Sequence, residues 1–518
     1  MPPALIPQPT RLTTHDGMFM LNHNVHVRSN AGAQDSVAML RAALLAATGL
    51  DLPDVPTTPG SHMPIIEIKL DQALNGFGPE GYRLIVAPHR ISLHSSTQAG
   101  LFYGVQTLRQ LLPTETFGKQ HIERREWPIA CVEIEDQPRF VWRGAMLDVC
   151  RHFFSIEEVR QFIDMLALHK LNRLHLHLSD DQGWRIEIKK YPRLTEVGAW
   201  RKETLVGHFF SKEPARYDGQ AHGGFYSQAE LRDLVAYAAA RQVTIVPEIE
   251  MPGHGQAAIA AYPELSNTGQ QIDVCTTWGV IEHIYNAEES TIAFLQDVLT
   301  EVMDIFPSEY IHIGGDEAPK TQWQQSEAAQ RRIRELGLAD EDALQSYFVK
   351  RMDEFLHAHG RKLVGWDEIL EGGLASHATV MGWRGDDGGI AAARLGHDVI
   401  MTPNHSTYFD YYQSSHIDQE PLAIGGCVPL EHVYRFNPIP KQLTEEQGTH
   451  VLGTQGQFWS EYMPTFAQLQ YMAFPRLCAL AEVAWSPQEQ RDFADFRSRL
   501  VEHLKRLDAL GVKYRALD

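Results

Sequence analysis

Polar and large aromatic side chains follow a series of short apolar runs in this sequence. The residues in these positions are Arg151, Asp180, Asp181, Glu248, Glu250, His254, Asp316, Glu317, Trp366, Asp367, Trp383, Arg384, Tyr408, Asp410, Trp459 and Glu461. Carboxylates accept hydrogen bonds from hydroxyl groups, a guanidinium donates to them, and aromatic faces cover the apolar faces of a pyranose ring. The mixture therefore indicates a sugar-binding site.

Any one of these residues, taken alone, could cap a helix or pack in a core. Packing does not explain why every apolar run ends in an acid or a large aromatic residue, because caps would be needed equally at the opposite ends of the runs. A phosphate site would instead need a GxxxxGK[ST] loop, a motif that the sequence lacks.

Eight apolar runs alternate with helical patterns from residue 142 onward. They are Trp142–Val149, Arg173–Ser179, Thr244–Ile249, Tyr310–Ile313, Lys362–Trp366, Thr379–Trp383, Asp398–Thr402 and Val451–Trp459. Ser155 with Glu158, and Ser227 with Glu230, fit the capping box that begins a helix. This alternation predicts an α/β fold, a (β/α)8 TIM barrel, whose active site lies at the C-terminal ends of the strands.

The residues before the barrel show a different pattern. Residues 37–50 are amphipathic with helical spacing, residues 64–70 alternate, and residues 82–95 resemble a hairpin. Gln137 and Pro138 interrupt the chain before the first barrel strand. We therefore predict an α+β N-terminal domain without catalytic residues at 1–137, and the catalytic barrel with C-terminal helices at 138–518. Segments 201–224 and 407–448 are predicted to be loops that decorate the barrel.

Composition excludes several functional classes. The formal net charge of −20 argues against nucleic acid or an anionic membrane as partner. The five cysteines include no CxxC pair, so no zinc knuckle, redox motif or disulfide framework is predicted.

The N-terminus lacks a basic stretch followed by an apolar one, and no apolar run is long enough to span a bilayer. The expected location is cytoplasmic; a trimmed periplasmic or secreted protein would look the same.

The run His312-Ile-Gly-Gly-Asp-Glu317 resembles the HxGGDE signature of the family 20 β-N-acetylhexosaminidases. Further motifs of that family follow the same order along the chain: RGAMLDVCRHF (143–153), HLHLSDDQGWR (175–185), VPEIEMPGH (246–254) and FWSEY (458–462). The resemblance extends from about residue 143 to 485, and the preceding α+β unit resembles the N-terminal domain of the family.

The resemblance implies an exo-acting, retaining hydrolase of terminal β-linked GlcNAc or GalNAc that uses no cofactor and no metal. An adjacent Asp-Glu pair does not fit two carboxyls placed across a glycosidic bond, and this family is an exception in which the substrate supplies the nucleophile. The 2-acetamido oxygen attacks the anomeric carbon and forms an oxazolinium. Glu317 is the implied acid and base, Asp316 orients the acetamido group, and Tyr408 donates to its oxygen.

The same resemblance assigns the remaining side chains. It implies that the sugar's outer hydroxyls are bound by Arg151, Asp410 and Glu461, and that the aromatic walls are Trp366, Trp383 and Trp459. Asp180 and His254 would form a hydrogen-bonded network behind the acid. We expect an ionised Asp316 to hold the pKa of Glu317 above its usual value. Trp142 and Trp184 are assigned to packing.

The sequence departs from the family pattern at two positions. Glu250 stands where many relatives have aspartate, which puts the tuning of His254 in doubt, and Gln455 stands where some have glutamate. Two rival functions are a metal-dependent barrel hydrolase, suggested by His175 and His177, and a noncatalytic sugar-binding protein. Release of a disaccharide, as by a lacto-N-biosidase, is an alternative within the family. The substrate is expected to be an amino-sugar oligosaccharide or glycoconjugate, and the oligomeric state is left open.

Overall fold

A computed structural model describes residues 3–56 and 63–517 of the chain. They form two compact units. Of these described residues, the first unit takes in those within 1–141, 167–170 and 474–518, and the second takes in 142–166 and 171–473. The C-terminal segment therefore packs with the N-terminal residues, whereas the predicted division at 137/138 placed it with the barrel.

The first unit contains a six-stranded mixed sheet. Its strands are β1 (Arg11–Leu21), β2 (His26–Ser29), β3 (Ile65–Leu70), β4 (Tyr82–Ala87), β5 (Arg90–Ser95) and β6 (Trp127–Asp136), in the order β1-β6-β4-β5-β3-β2. β4 and β5 pair antiparallel, which confirms the predicted hairpin. The helices of the unit are Gln34–Thr48, Gln98–Leu111, Arg476–Trp485 and Phe493–Leu510. The first of these confirms the amphipathic pattern at 37–50.

The second unit is a closed barrel of eight parallel strands, as predicted. The strands are β7 (Trp142–Asp148), β8 (Arg173–His177), β9 (Thr244–Glu248), β10 (Tyr310–His312), β11 (Lys362–Trp366), β12 (Thr379–Gly382), β13 (Val399–Met401) and β14 (Val451–Phe458). Each coincides with one predicted apolar run. β14 pairs with β7 and closes the barrel, with Gly453 opposite Trp142 and Phe458 opposite Leu147.

Helices connect the barrel strands and begin where the sequence signals them. Ser155 and Glu158 form the first capping box, because each side chain bonds the other's backbone N–H. Ser227 and Glu230 form the second. The main barrel helices are Ile156–Leu168, Gln228–Ala239, Glu289–Ile305, Glu341–Ala358, Asp387–Arg394 and Phe466–Ala473. Among the described residues, no helix has the length and apolar character needed to span a membrane.

Side chains, not open space, fill the barrel interior. Trp142, Val246, Tyr310, Val364, Trp366, Met381 and Ile400 form a buried cluster there. The Trp142 indole N–H donates to Gln455 Oε1 at 3.0 Å. Trp142 and Trp184 are each 1% exposed, which confirms their assignment to packing.

The two predicted decorating segments carry short elements. In the first, Trp200–Arg201 pairs with His222–Gly223 and Leu205–Val206 pairs with Arg216–Tyr217. The second contains the short helices Leu430–Arg435 and Glu445–Gly448. Both segments therefore contain defined secondary structure.

Candidate active site

The turn after β10 places Asp316 and Glu317 side by side. Successive strand residues point to opposite faces, so both carboxylates can reach one ligand only if the backbone leaves strand geometry. It does so here, since Gly314, Gly315 and Glu317 have φ values of 69°, 97° and 44°. A Cβ on Gly314 would lie 1.6 Å from Glu250 Oε2, so glycine is required at this point.

His254 joins the acid pair to a second pair of carboxylates. Its Nδ1 lies 3.2 Å from Asp180 Oδ1 and 3.1 Å from Asp181 Oδ2. Its Nε2 lies 3.7 Å from Asp316 Oδ2 and 3.6 Å from Glu317 Oε2. Burial disfavours the imidazolium, but the surrounding carboxylates outweigh burial and raise the pKa of His254 well above its usual value. His254 is therefore a buried cation between two acidic pairs.

The pKa values of the acid pair shift in the direction opposite to the sequence-based expectation. Burial raises the pKa of Asp316 to about 6, against the opposing charge of His254. Burial also acts on Glu317, but His254 outweighs it and lowers the pKa of that carboxyl. The Glu317 side chain is 36% exposed and that of Asp316 is 10% exposed, so Glu317 is the more accessible carboxyl of the pair. The expectation that the pKa of Glu317 lies above its usual value is therefore wrong for this arrangement.

Arg151 continues the charged network along the site. Its guanidinium lies 2.9 Å from Asp180 Oδ2, 3.3 Å from Asp148 Oδ2 and 3.9 Å from Glu461 Oε1. Nε donates to Gln182 Oε1 at 2.9 Å. The side chain is held from several directions, so it can donate to a ligand hydroxyl from a fixed position.

The aromatic residues form the other side of the site. The Arg151 guanidinium lies 5.0 Å from the centre of the Trp459 ring, and that ring lies 5.8 Å from Trp366. The Trp383 and Tyr408 rings stack at 6.0 Å. Burial and the charge of neighbouring Asp410 raise the pKa of Tyr408, so its hydroxyl keeps its proton and can donate.

The loop after β13 positions Tyr408 and Asp410. Tyr408 forms an isolated parallel bridge with Gln457 of β14, and the Phe409 N–H donates to the Gln457 carbonyl at 2.8 Å. Asp410 is 7% exposed. These contacts hold Tyr408 and Asp410 beside β14. Because each predicted site residue ends or follows one of the parallel barrel strands, all of them lie at the C-terminal end of the barrel.

The histidines of β8 lie inside the barrel beneath the site. His175 Nδ1 accepts from Gln455 Nε2 at 2.9 Å, and its Nε2 lies 3.0 Å from Glu248 Oε2. His177 contacts the same Glu248 oxygen through Nδ1 and Asp180 Oδ2 through Nε2, the latter at 2.8 Å. Burial opposes the charge of His177, but Glu248 and Asp180 raise its pKa to about 10. The His-x-His motif is thus part of an ion-pair network that supports Asp180.

The two departures from the family pattern also lie in this interior. Gln455 connects Trp142 to His175 through its amide. Neither carboxyl oxygen of Glu250 has a hydrogen-bond partner within 3–56 and 63–517. Burial, followed by the charge of Asp316, raises the pKa of Glu250 well above its usual value. Burial therefore favours the protonated form of Glu250, whose carboxyl lies against the backbone of Gly314.

Sequence reasoning missed three supporting residues. Asp148, the last residue of β7, accepts the Ser460 N–H and contacts Arg151. Gln182 orients Arg151. Glu368 accepts the Trp383 indole N–H at 2.9 Å, and burial raises its pKa to about 8. Asp148 and Glu368 were detectable as acids at strand ends, whereas nothing local distinguishes Gln182.

Models of protein families match both parts of the chain. The model described as the catalytic domain of glycosyl hydrolase family 20 matches residues 140–488. The model described as domain 2 of the same family matches residues 2–137.

Individual relatives are similar over nearly the whole chain. A "Beta-hexosaminidase" of Porphyromonas gingivalis is 46% identical over 98% of this chain, which spans 64% of that relative's length. A "Beta-N-acetylhexosaminidase" of Cellulomonas fimi is 33% identical over 99% of this chain and 96% of its own.

Solved structures share the architecture. The family 20 β-N-acetylhexosaminidase of Streptomyces coelicolor A3(2) superposes with a TM-score of 0.85 at 33% identity, over 99% of this chain and 97% of that one. A mutant β-hexosaminidase of Streptomyces plicatus, solved with the product GlcNAc, gives the same TM-score and identity over 99% and 96%.

Proposed function

The chain belongs to glycosyl hydrolase family 20, and we propose that it removes terminal β-linked GlcNAc or GalNAc from oligosaccharides or glycoconjugates with retention of configuration. The relatives named above bear hexosaminidase names, and the Streptomyces plicatus structure holds GlcNAc. The mixed acidic and aromatic site at the strand ends is suited to an amino sugar.

One observation carries the proposed mechanism. Asp316 Oδ1 is buried and has no hydrogen-bond partner among residues 3–56 and 63–517. An unsatisfied buried acceptor is costly, and a substrate N–H would satisfy it. The N–H of a 2-acetamido group is such a donor, and its capture would turn the acetamido oxygen toward the anomeric carbon. A 2-hydroxyl sugar lacks both the amide donor and the amide oxygen.

The substrate itself then supplies the nucleophile. The acetamido oxygen bonds to C1 while the C1–O bond to the leaving group breaks, and Glu317 gives its proton to the departing oxygen. The product is an oxazolinium whose positive charge Asp316 stabilises. Glu317 next takes a proton from water, and that water's oxygen bonds to C1 as the C1–O bond of the oxazolinium ring breaks and the acetamido group is restored. Because each of the two steps inverts the configuration at C1, the product retains the anomeric configuration of the substrate.

Substrate binding would also place the proton where the reaction needs it. In the free protein burial favours the proton on Asp316, and His254 favours an ionised Glu317. An acetamido N–H bonded to Asp316 stabilises its charged form, and a leaving group that covers Glu317 desolvates that carboxyl. Both effects move the single proton of the pair from Asp316 to Glu317.

The remaining side chains would hold the sugar. Arg151, Glu461 and Asp410 would bind its outer hydroxyls, and Tyr408 would donate to the acetamido oxygen. Trp366, Trp383 and Trp459 would wall the N-acetyl group and the ring, with Trp459 as the platform. Asp180 and His254 would orient the acid pair from behind.

Turnover of p-nitrophenyl N-acetyl-β-glucosaminide tests this function. Wild type should release nitrophenol, and E317Q should lose about 10²–10⁴-fold in kcat because the proton donor is gone. The matched control is E309Q, an exposed acid at the opposite end of the barrel strand that leads to the pair. Equal rates for wild type and E317Q, or no turnover by wild type of either the glucosaminide or the galactosaminide, would contradict the proposal.

A further inference from the structure

Two histidines and an aspartate meet on the barrel unit, away from the sugar site. Asp353 and His357 lie one turn apart on the helix Glu341–Ala358, and His377 precedes β12 by two residues. Because His377 lies where the chain enters β12, the cluster is at the N-terminal end of that strand, whereas the sugar site is at the C-terminal strand ends. The cluster therefore takes no part in the chemistry proposed above.

A single carboxylate oxygen fixes the orientation of His377. Asp353 Oδ2 accepts the Nδ1–H of His377 at 3.1 Å and the backbone N–H of the same residue at 3.3 Å. In the neutral ring the proton therefore lies on Nδ1, and Nε2 carries a lone pair. The His377 side chain is 43% exposed, whereas that of Asp353 is 3% exposed. A carboxylate that accepts from one ring nitrogen in this way orients the other nitrogen of a histidine toward a metal ion.

His357 supplies a second imidazole beside the first. Its ring lies parallel to that of His377, with the ring centres 3.7 Å apart and an angle of 9° between the planes. Within residues 3–56 and 63–517 the exposed ring of His357 forms no hydrogen bond, so both of its nitrogens are available to a ligand. A zinc ion holds imidazole nitrogens at about 2.0–2.1 Å, so two nitrogens on one ion lie about 3–4 Å apart. The separation of the two rings matches that spacing.

The charges around the two rings also suit a cation. Asp353 Oδ1 is buried and has no hydrogen-bond partner in the described part of the chain, so the negative charge of this group is incompletely compensated. Lys350 lies one turn from Asp353 in the direction away from His357, and its Nζ approaches Gly373. Imidazole nitrogens are ligands that suit copper, nickel and zinc ions.

We propose that His357 and His377 together bind one divalent transition-metal ion of the Cu²⁺, Ni²⁺ or Zn²⁺ type, with Asp353 orienting His377 from behind and water completing the coordination. The ion would join the C-terminal turn of the helix Glu341–Ala358 to the segment that leads into β12. Metal binding at this site would leave hydrolysis unchanged. The inference is independent of the proposed function, since none of the three residues belongs to the sugar site.

Titration of the chelator-stripped protein with Cu²⁺ tests the site. Wild type should bind Cu²⁺ at a site whose electron paramagnetic resonance spectrum shows two nitrogen ligands. H357N and H377N should each weaken this binding at least about tenfold, or about 1.4 kcal/mol, because each variant removes one ligand. D353N should weaken the binding about tenfold, since loss of the group that orients a ligand typically costs about 10–100-fold in metal affinity.

The matched control is H359N. His359 is exposed at the end of the same helix, and its Nδ1 donates to the Phe355 carbonyl at 2.8 Å, outside the stacked pair. H359N should therefore bind Cu²⁺ as wild type does. Turnover of the p-nitrophenyl glucosaminide in metal-free buffer should be the same in wild type, H357N and H377N, because both side chains are exposed and distant from the acid pair.

Two results would overturn the site. Equal affinity for Cu²⁺ in wild type, H357N and H377N would show that the two rings only stack on each other, as aromatic rings do without an ion. Loss of the two-nitrogen spectrum in H359N would place the ligands elsewhere on the helix end. Neither result would bear on the proposed hydrolysis.

Discussion

The charged and aromatic sides of the site are built in different ways. On the charged side, Asp180, His254, Asp316 and Glu317 lie close enough that each changes the proton affinity of its neighbour. On the aromatic side, Trp459, Trp366 and Trp383 are fixed by ring contacts, and the indoles of Trp383 and Trp459 also form hydrogen bonds, with Glu368 and Tyr408 respectively. Loss of a charged residue should therefore alter the chemical step and its pH dependence, whereas loss of an aromatic residue should alter binding.

The largest effect is expected on the charged side, in D316N. Asparagine removes the charge that stabilises the oxazolinium, so kcat for the p-nitrophenyl glucosaminide should fall about 10²–10³-fold while KM changes little. Steady-state kinetics measure this, with D273N, at an exposed aspartate, as control. A D316N enzyme that keeps a tenth of its kcat would break the distinction between the two sides.

The next effect is a shift of the pH profile in H254N. The active pair carries one proton, so wild-type kcat/KM should be level just below pH 6 and fall as the pH rises above about 6, where Asp316 loses that proton. His254 is a cation that lowers the pKa of both acids, so its removal should move this descending limb upward by about one unit. The control is H23N, at an exposed position in the first unit.

A profile of H254N that coincides with wild type would show that His254 is neutral or does not act on the pair. A shift to lower pH would contradict the assigned sign. Either result would leave the charged side without its central cation.

Substitution of a residue on the aromatic side should raise KM. Trp459 contacts Arg151 and Trp366 and is our platform for the ring, so W459A should raise KM about tenfold, or about 1.4 kcal/mol, with a smaller change in kcat. W459F should recover part of the loss because it keeps an aromatic face. A loss confined to kcat would place Trp459 in the chemical step.

The smallest effect on activity is expected at Glu250. Burial raises the pKa of this acid, so it is already neutral, and E250Q should change kcat/KM by less than about threefold and leave the pH profile in place. Stability should change instead. When folding raises the pKa of a buried acid, the free energy of unfolding of the protein falls as the pH rises above the pKa of that acid in the unfolded chain, about 4.3.

The free energy of unfolding should therefore decline less between pH 5 and pH 8 in E250Q than in wild type. Denaturant titrations at the two pH values measure this difference. A pH profile of activity that shifts in E250Q would mean that Glu250 is ionised in the working enzyme.

Most of the barrel could be predicted because its strands are buried on both faces and their ends carry unusual residues. The run Tyr310–Ile313 and the acids after it predict both β10 and the Asp316–Glu317 acid pair. The edge strand β1 was not predicted, since exposed residues such as Thr13 and Asp16 interrupt its apolar pattern. The packing of residues 474–518 with the N-terminal residues also depends on long-range contacts that no local pattern encodes.

The charges and pKa values of the site were harder to predict than the identity of the residues that form it. Residue spacing brings Asp316 and Glu317 together, but the preferred site of their shared proton depends on exposure and on His254, which is distant in sequence. Glu368 acts through Trp383, and Gln182 acts through Arg151. Their roles can therefore be recognised only from the contacts in the folded structure.

A series of substrates that differ only in the N-acyl group tests most directly whether the sugar's own amide attacks C1. Fluorine on the acetyl group makes the acyl oxygen a weaker nucleophile. The p-nitrophenyl glucosaminides with one, two and three fluorines should lose kcat/KM progressively, by more than about 100-fold at three, or about 2.7 kcal/mol. A kcat/KM that does not depend on fluorine number, with a glycosyl ester trapped on a protein carboxylate, would contradict attack by the acetamido group.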